Sequence, residues 1–205
     1  MKFIVYERLS GASPNAGAVA TDRDTLGRCA RAEQLGYGGV CLDGELAAER
    51  ALVFAAALAA RTSRLPIRLI LNGKPREGVE DAVLLDSLPE GRLMLAAPTD
   101  VTSPCRRVLL ADSDAEARRL AGPALDRSGL DDAFWADPEG PLVGSPETVA
   151  ARLGRLRDKL GECELLLEFS FGELPPEQAL NSLERFSREI LPRFSPQPAL
   201  PPTFA

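Results

Sequence analysis

The 205-residue sequence has no histidine, one tryptophan and two tyrosines, and aromatic residues make up only 5% of it. Without histidine there is no Ser-His-Asp or Cys-His catalysis, no histidine metal ligand and no histidine general base. Acid–base chemistry falls to carboxylates, Lys, Tyr or Cys. The four cysteines, Cys29, Cys41, Cys105 and Cys163, stand singly, with neither zinc-ligand nor redox spacing. They read as reduced, structural residues of a cytoplasmic protein. No apolar run has the length of a bilayer span. The opening Met1–Arg8 reads as a first strand and not as a signal peptide. Lys and Arg number 24 against 30 Asp and Glu, a net charge of −6. That balance argues against a nucleic-acid or membrane partner.

What the chain does contain is alternation. Strands are expected at Lys2–Glu7, Gly38–Asp43, Pro66–Asn72, Arg92–Ala97, Cys105–Ala111 and Glu164–Phe171. Helices are expected at Asp22–Leu35, closed by Gly36, and at Ala47–Ser63, Val79–Leu88 and Pro176–Leu191. Ser113 and Glu116 form a capping box that opens a helix running to about Asp126. Ser145 caps another helix, with Pro146 at its first position and Val149, Leu153, Leu156 and Leu160 on one stripe. Residues 127–140 read as a loop. Apolar strands separated by helices imply a parallel sheet covered on both faces. Residues 1–192 read as one α/β domain and 193–205 as a proline-rich tail. Periodicity alone leaves open a reduced barrel or an open doubly wound sheet.

Five segments carry a further pattern. They are Ala32–Val40, Ala57–Leu65, Leu84–Arg92, Val108–Ala117, and a C-terminal segment made of Pro141–Ala150, Glu164–Phe171, Ser182–Phe186 and Glu189-Ile190-Leu191-Pro192. In this order they resemble the bacterial luciferase-like monooxygenases, which use reduced flavin or the deazaflavin F420 on a (β/α)8 barrel. The resemblance implies an α/β fold: a shortened, incomplete TIM-like barrel of six to seven strands. It implies FMN or F420 as cofactor, no metal, and a small organic metabolite as substrate or ligand. It also implies a homodimer, or a heterodimer with a luciferase-like subunit, through the alanine-rich Ala47–Ala60 helix.

The departures from the family pattern matter as much. Asp43-Gly44-Glu45-Leu46 stands where the family carries its histidine. Ala96-Ala97-Pro98 replaces a Gly-x-Gly approach to the flavin, and the family's region between its fourth helix and sixth strand is missing. Two functional classes follow: a monooxygenase or a non-redox descendant of one, and a non-catalytic flavin- or metabolite-binding protein or inactive partner subunit. The shortened non-fluorescent flavoprotein, a relative of luciferase, still binds a flavin derivative.

Sites in such barrels lie at the carboxyl ends of strands. That rule nominates Glu7, Asp43, Glu45 and Glu168 as acid–base groups, with Glu7 paired to Glu45 or Asp43. It nominates Tyr6, Asn72, Lys74 and Ser170 as cofactor contacts. Arg92, at the opposite mouth, is expected to be an anchor, and Gly144–Glu147 an ordinary helix cap.

Overall fold

The computed structural model describes residues 1–9, 22–44, 48–71, 92–125, 134–135, 137 and 139–194. Strands are β1 (Lys2–Leu9), β2 (Val40–Gly44), β3 (Ile67–Leu71), β4 (Leu93–Ala96), β5 (Cys105–Leu110), β6 (Leu142–Gly144) and β7 (Glu164–Glu168). Helices are α1 (Asp22–Gln34), α2 (Ala48–Ala59), α3 (Asp114–Ala124), α4 (Pro146–Leu160), α5 (Pro176–Glu189) and α6 (Leu191–Phe194). The expected Val79–Leu88 helix lies outside the described residues, as do residues 195–205 of the expected 193–205 tail, whereas Arg193 and Phe194 belong to α6, with Phe194 buried in the core.

All strand pairings are parallel, in the order β4-β3-β2-β1-β7-β5-β6. The last strand of the chain lies beside the first, as in a closed barrel. The edges β4 and β6 are joined by no ladder among the described residues, so the barrel is open. An incomplete α/β barrel is what the sequence leads one to expect. β6, a three-residue strand, was not expected, because Leu142–Gly144 is too short to show a period of two. β5 uses both edges: Cys105–Arg107 pair with β7, and Val108–Leu110 with β6. Past the β7 ladder, the Leu110 N–H finds Ser182 Oγ of α5 at 3.0 Å instead.

Period two sorts β1 into two faces. Phe3, Val5 and Leu9 join the main core under the helices, with Leu42, Leu69, Leu165, Leu167, Leu58, Leu153 and Phe186. The scarce aromatics are spent here. Phe186 meets Phe3, Tyr37 and Phe169 at centroid distances of 5.3, 6.2 and 5.8 Å. Truncating such a buried ring costs about 3–5 kcal/mol, so these rings serve the fold. The concave face holds a smaller cluster of Ile4, Tyr6, Cys41, Ile70 and Leu166. A third cluster, with Leu109, Ala117, Ala121, Trp135 and Phe171, covers β5 and β6 beneath α3.

Helix ends are fixed by side chains from distant segments. Glu33 of α1 accepts the N–H groups of Ser63, Arg64 and Leu65 at 2.5–3.0 Å, an amide nest just past α2. Arg92 donates to Ala59 O at 3.3 Å and to Thr62 Oγ1 at 2.5 Å. Together they end α2 at Ala59, short of the expected Ser63.

Asp114, at the start of α3, accepts Ser145 N–H at 2.7 Å and the Thr148 hydroxyl at 2.8 Å. The amino end of α4 therefore already holds a carboxylate. A Cβ at Gly144 would meet Asp114 Oδ1 at 2.7 Å, which is why glycine stands there. Partial burial opposes ionisation of Asp114, but these donors hold its carboxyl below the ordinary range. Its stabilisation is thus present above the unfolded-state titration and lost as pH falls. We expect Asp114→Ala to cost about 1–2 kcal/mol in urea unfolding at neutral pH. The difference from wild type should shrink on acidification; a constant difference would contradict the capping role.

Candidate active site

The carboxyl ends of β1, β2 and β7 and the amino half of β5 bring five polar side chains to the concave face: Tyr6, Arg8, Asp43, Arg107 and Glu168. Parallel register places them together. Tyr6 lies opposite Glu168 on one side and Cys41 on the other, Arg8 lies opposite Asp43, and Arg107 opposite Glu168. Side chains of one face stand side by side at such positions.

The Tyr6 hydroxyl donates to Asp43 Oδ2 at 2.5 Å. Burial, then this bond to a carboxylate, push the phenol well above its usual range, so Tyr6 keeps its proton. Arg8 is exposed at the mouth, where its guanidinium interacts with the Tyr6 hydroxyl and feels Glu168 and Asp43. Glu168 is only 5% exposed. Arg107 donates to its Oε2 at 3.3 Å. Burial raises the Glu168 carboxyl, and the opposing pull of Arg107 and Arg8 does not cancel it. Arg107 is held in turn over the Phe171 ring, 5.8 Å from its centroid. The arrangement offers one buried carboxyl that holds its proton to higher pH than an ordinary glutamate, two arginines, and a phenol locked as a donor.

Glu7 lies elsewhere. Its odd position turns it to the helix side, where Arg28 of α1 grips it bidentately, Nε to Oε1 at 2.6 Å and Nη2 to Oε2 at 2.8 Å. No Glu7–Asp43 pair forms, because the pleat sends adjacent parities to opposite faces. Ser170 is half-buried just past β7, which stops at Glu168 because its β1 and β5 ladders end there. Glu45, Asn72 and Lys74 lie outside the described residues. Arg107 was not singled out in the sequence, because the rule that nominated Glu168 looks at the carboxyl ends of strands and Arg107 lies in the amino half of β5.

A cavity of about 420 Å³ opens beside this cluster. Arg8, Arg106, Arg107 and Glu168 line it with Leu125 and Phe134. The opposite mouth is closed by charge: Arg68 Nη1 meets Glu164 Oε1 at 2.6 Å, with Lys2 at 3.5 Å from Oε2 and the Ser103 hydroxyl at 3.3 Å from Oε1. Among the described residues no group of three or more Cys, Asp and Glu side chains could hold a metal ion. No described helix is long and apolar enough to cross a membrane.

No family model matches the chain, and no curated protein does. Solved structures do. The monooxygenase RslO1 from Streptomyces bottropensis is 16% identical with a TM-score of 0.65, over 95% of this chain and all of that one (100%). MsnO8, in its apo form, is 14% identical with a TM-score of 0.51, over 92% of this chain and 98% of that one. At such identities the likeness is one of fold: this chain has an α/β architecture that a monooxygenase also uses.

Proposed function

We propose that the protein is a luciferase-like monooxygenase homologue acting on a small organic metabolite at the carboxyl mouth of its open barrel, with FMN or F420 as cofactor. The observation that carries this reading is the Tyr6–Asp43, Arg8, Glu168–Arg107 cluster on the face and at the strand ends where such barrels do chemistry. The donor set fits a reduced flavin. Arg8 supplies an exposed cation where an electron-rich ring needs compensating charge, and Tyr6 and Ile4 supply a buried floor. The amino end of α4 would not take the phosphate, since Asp114 already fills it. When bound, the flavin would supply the electrons for dioxygen chemistry.

The chain's own contribution is positioning and proton handling. Glu168 stands in for the absent histidine as the group that gives and regains a proton. Arg107 fixes the orientation of its carboxyl. The sign of the pH dependence follows from the raised carboxyl. Glu168 is protonated below its titration and loses its proton as pH rises through it, so an acid role fails on the alkaline side.

Oxygen uptake with reduced FMN, measured across pH, tests this reading. Protein-dependent uptake should decline as pH rises through a carboxyl titration above the ordinary range. Glu168→Gln should lower the rate by about 10²-fold or more and abolish that limb. Equal rates in the variant would remove Glu168 from the chemistry. Flavin binding with no protein-dependent uptake would favour a non-catalytic carrier.

A further inference from the structure

The cavity beside the Glu168 cluster is lined by one residue with a buried polar atom that nothing among the described residues satisfies. Arg106 lines it, and the Arg106 Nε is buried with no hydrogen-bond partner. Leaving a buried charged donor unpaired is expensive, and native chains seldom do so without a use for it. The carboxylates around it already have donors, and Arg8 adds a further cation to the wall. Glu168 is held by Arg107 and Glu139 by Lys159. Asp137 accepts the Glu139 N–H at 2.9 Å, closing its own turn. Arg106 lowers the Glu139 carboxyl through space, but Glu139's hydrogen bond goes to Lys159. Arg106 itself spends Nη1 on its neighbour's carbonyl, Cys105 O, at 2.9 Å.

The chain also shows what an arginine Nε is for. Arg28 meets Glu7 through Nε and Nη2, the two-pronged edge that matches a carboxylate. At Arg106 the Nε of that same edge has no carboxylate among the described residues. Phe134, Leu125 and Pro141 form the apolar part of the wall. About 420 Å³ suits a compact organic molecule.

We propose that this cavity binds an aromatic carboxylic acid, its carboxylate on Arg106 and its ring against Phe134. This deepens the reading of the carboxyl mouth as the active site, because it names the substrate class: an aryl carboxylate whose body lies beside Glu168. It also makes Arg106 the specificity-determining residue of the pocket.

The test uses the full-length, flavin-free protein, so it does not depend on flavin binding. The probe is benzoate, compared with benzyl alcohol, which has a similar body and no charge, and with inorganic phosphate, which has charge and no body. Binding is read by calorimetry and by quenching of Trp135. Trp135 is the chain's single tryptophan, and its ring lies 5.2 Å from the Phe134 ring. Benzoate should bind saturably and quench, and benzyl alcohol and phosphate should bind at least about tenfold more weakly. Arg106→Gln should lose about tenfold or more in benzoate affinity, and Arg106→Lys, which keeps charge without the fork, should fall between. If Arg106→Gln does not fold, by far-ultraviolet circular dichroism, the Lys variant carries the test. No benzoate binding, phosphate binding as tight as benzoate, or full affinity in the Arg106 variants would each overturn the proposal. A protein that binds benzoate but no flavin would keep this site while sinking the monooxygenase reading, and the reverse result would do the opposite.

Discussion

Replacing Gly172 with alanine is expected to cost on the order of 4 kcal/mol, from left-handed backbone strain added to an overpacked contact. Gly172 has φ +55 in the loop after β7, and a Cβ there would lie 1.8 Å from Ala124 O at the end of α3. That overlap is with backbone, so no rotamer change relieves it. The loop or the last turn of α3 must move, and with it Leu125 of the cavity wall. Gly161, the C-cap of α4, is the matched control. Its φ is +71, but nothing lies within 4 Å of the added carbon. Gly161→Ala should therefore cost only the left-handed penalty, about 1 kcal/mol. Urea unfolding of the pair separates conformation from collision. Equal costs would mean that the Gly172–Ala124 contact is not as tight as described.

The second large effect concerns the Glu7–Arg28 pair, both side chains only 2% exposed. Removing one partner leaves the other as an uncompensated charge in the core, and Arg28→Met should cost about 3–5 kcal/mol. Glu7→Leu should cost a similar amount. The double variant, Glu7→Leu with Arg28→Met, removes both charges and should recover most of the loss, since buried ion pairs often break even against apolar replacements. A double-mutant cycle measures this directly. Losses that simply add would contradict a coupled structural pair. The same double variant bears on function. Because Glu7 faces the helices, the refolded double variant should keep flavin binding, whereas loss of binding with stability restored would return Glu7 to the site.

The segments that carry the family resemblance meet one another in space, and they meet at structural joints. Glu33 of the first segment holds the amides of Ser63 and Arg64 in the second. Arg92, which ends the third, bonds to Thr62 and Ala59 of the second. Asp114 of the fourth caps the helix that opens in the fifth. These contacts lock helix ends to the sheet. That is why the sequence speaks clearly about architecture: each motif must be chemically complete for its joint to close.

The site is less legible for the same reason. Tyr6, Asp43 and Glu168 stand out as polar groups at strand ends. Their assembly depends on the β1–β7 and β5–β7 ladders, which join residues far apart in the chain. Period two alone separates Glu7 from Tyr6, since Glu7 shares parity with Phe3, Val5 and Leu9. Its partner was concealed, because Arg28 sits on the buried stripe of α1 with Thr25, Cys29 and Ala32, where an arginine reads as an interruption. Arg106 and Arg107 become meaningful only once β5 lies against β7. An incomplete barrel could be anticipated from the stretch missing against the family pattern, whereas the insertion of β7 between β1 and β5 is a tertiary fact.

We propose that the carboxyl mouth around Arg8, Tyr6 and Glu168 receives a flavin. A visible difference titration of the purified protein with FMN, and separately with F420, tests it most directly. A saturable change in the flavin bands is expected with one of the two. Arg8→Gln should weaken it by about tenfold, the loss of a charge-assisted contact. Flavin bands that stay unperturbed at every protein concentration, with both cofactors, would contradict it.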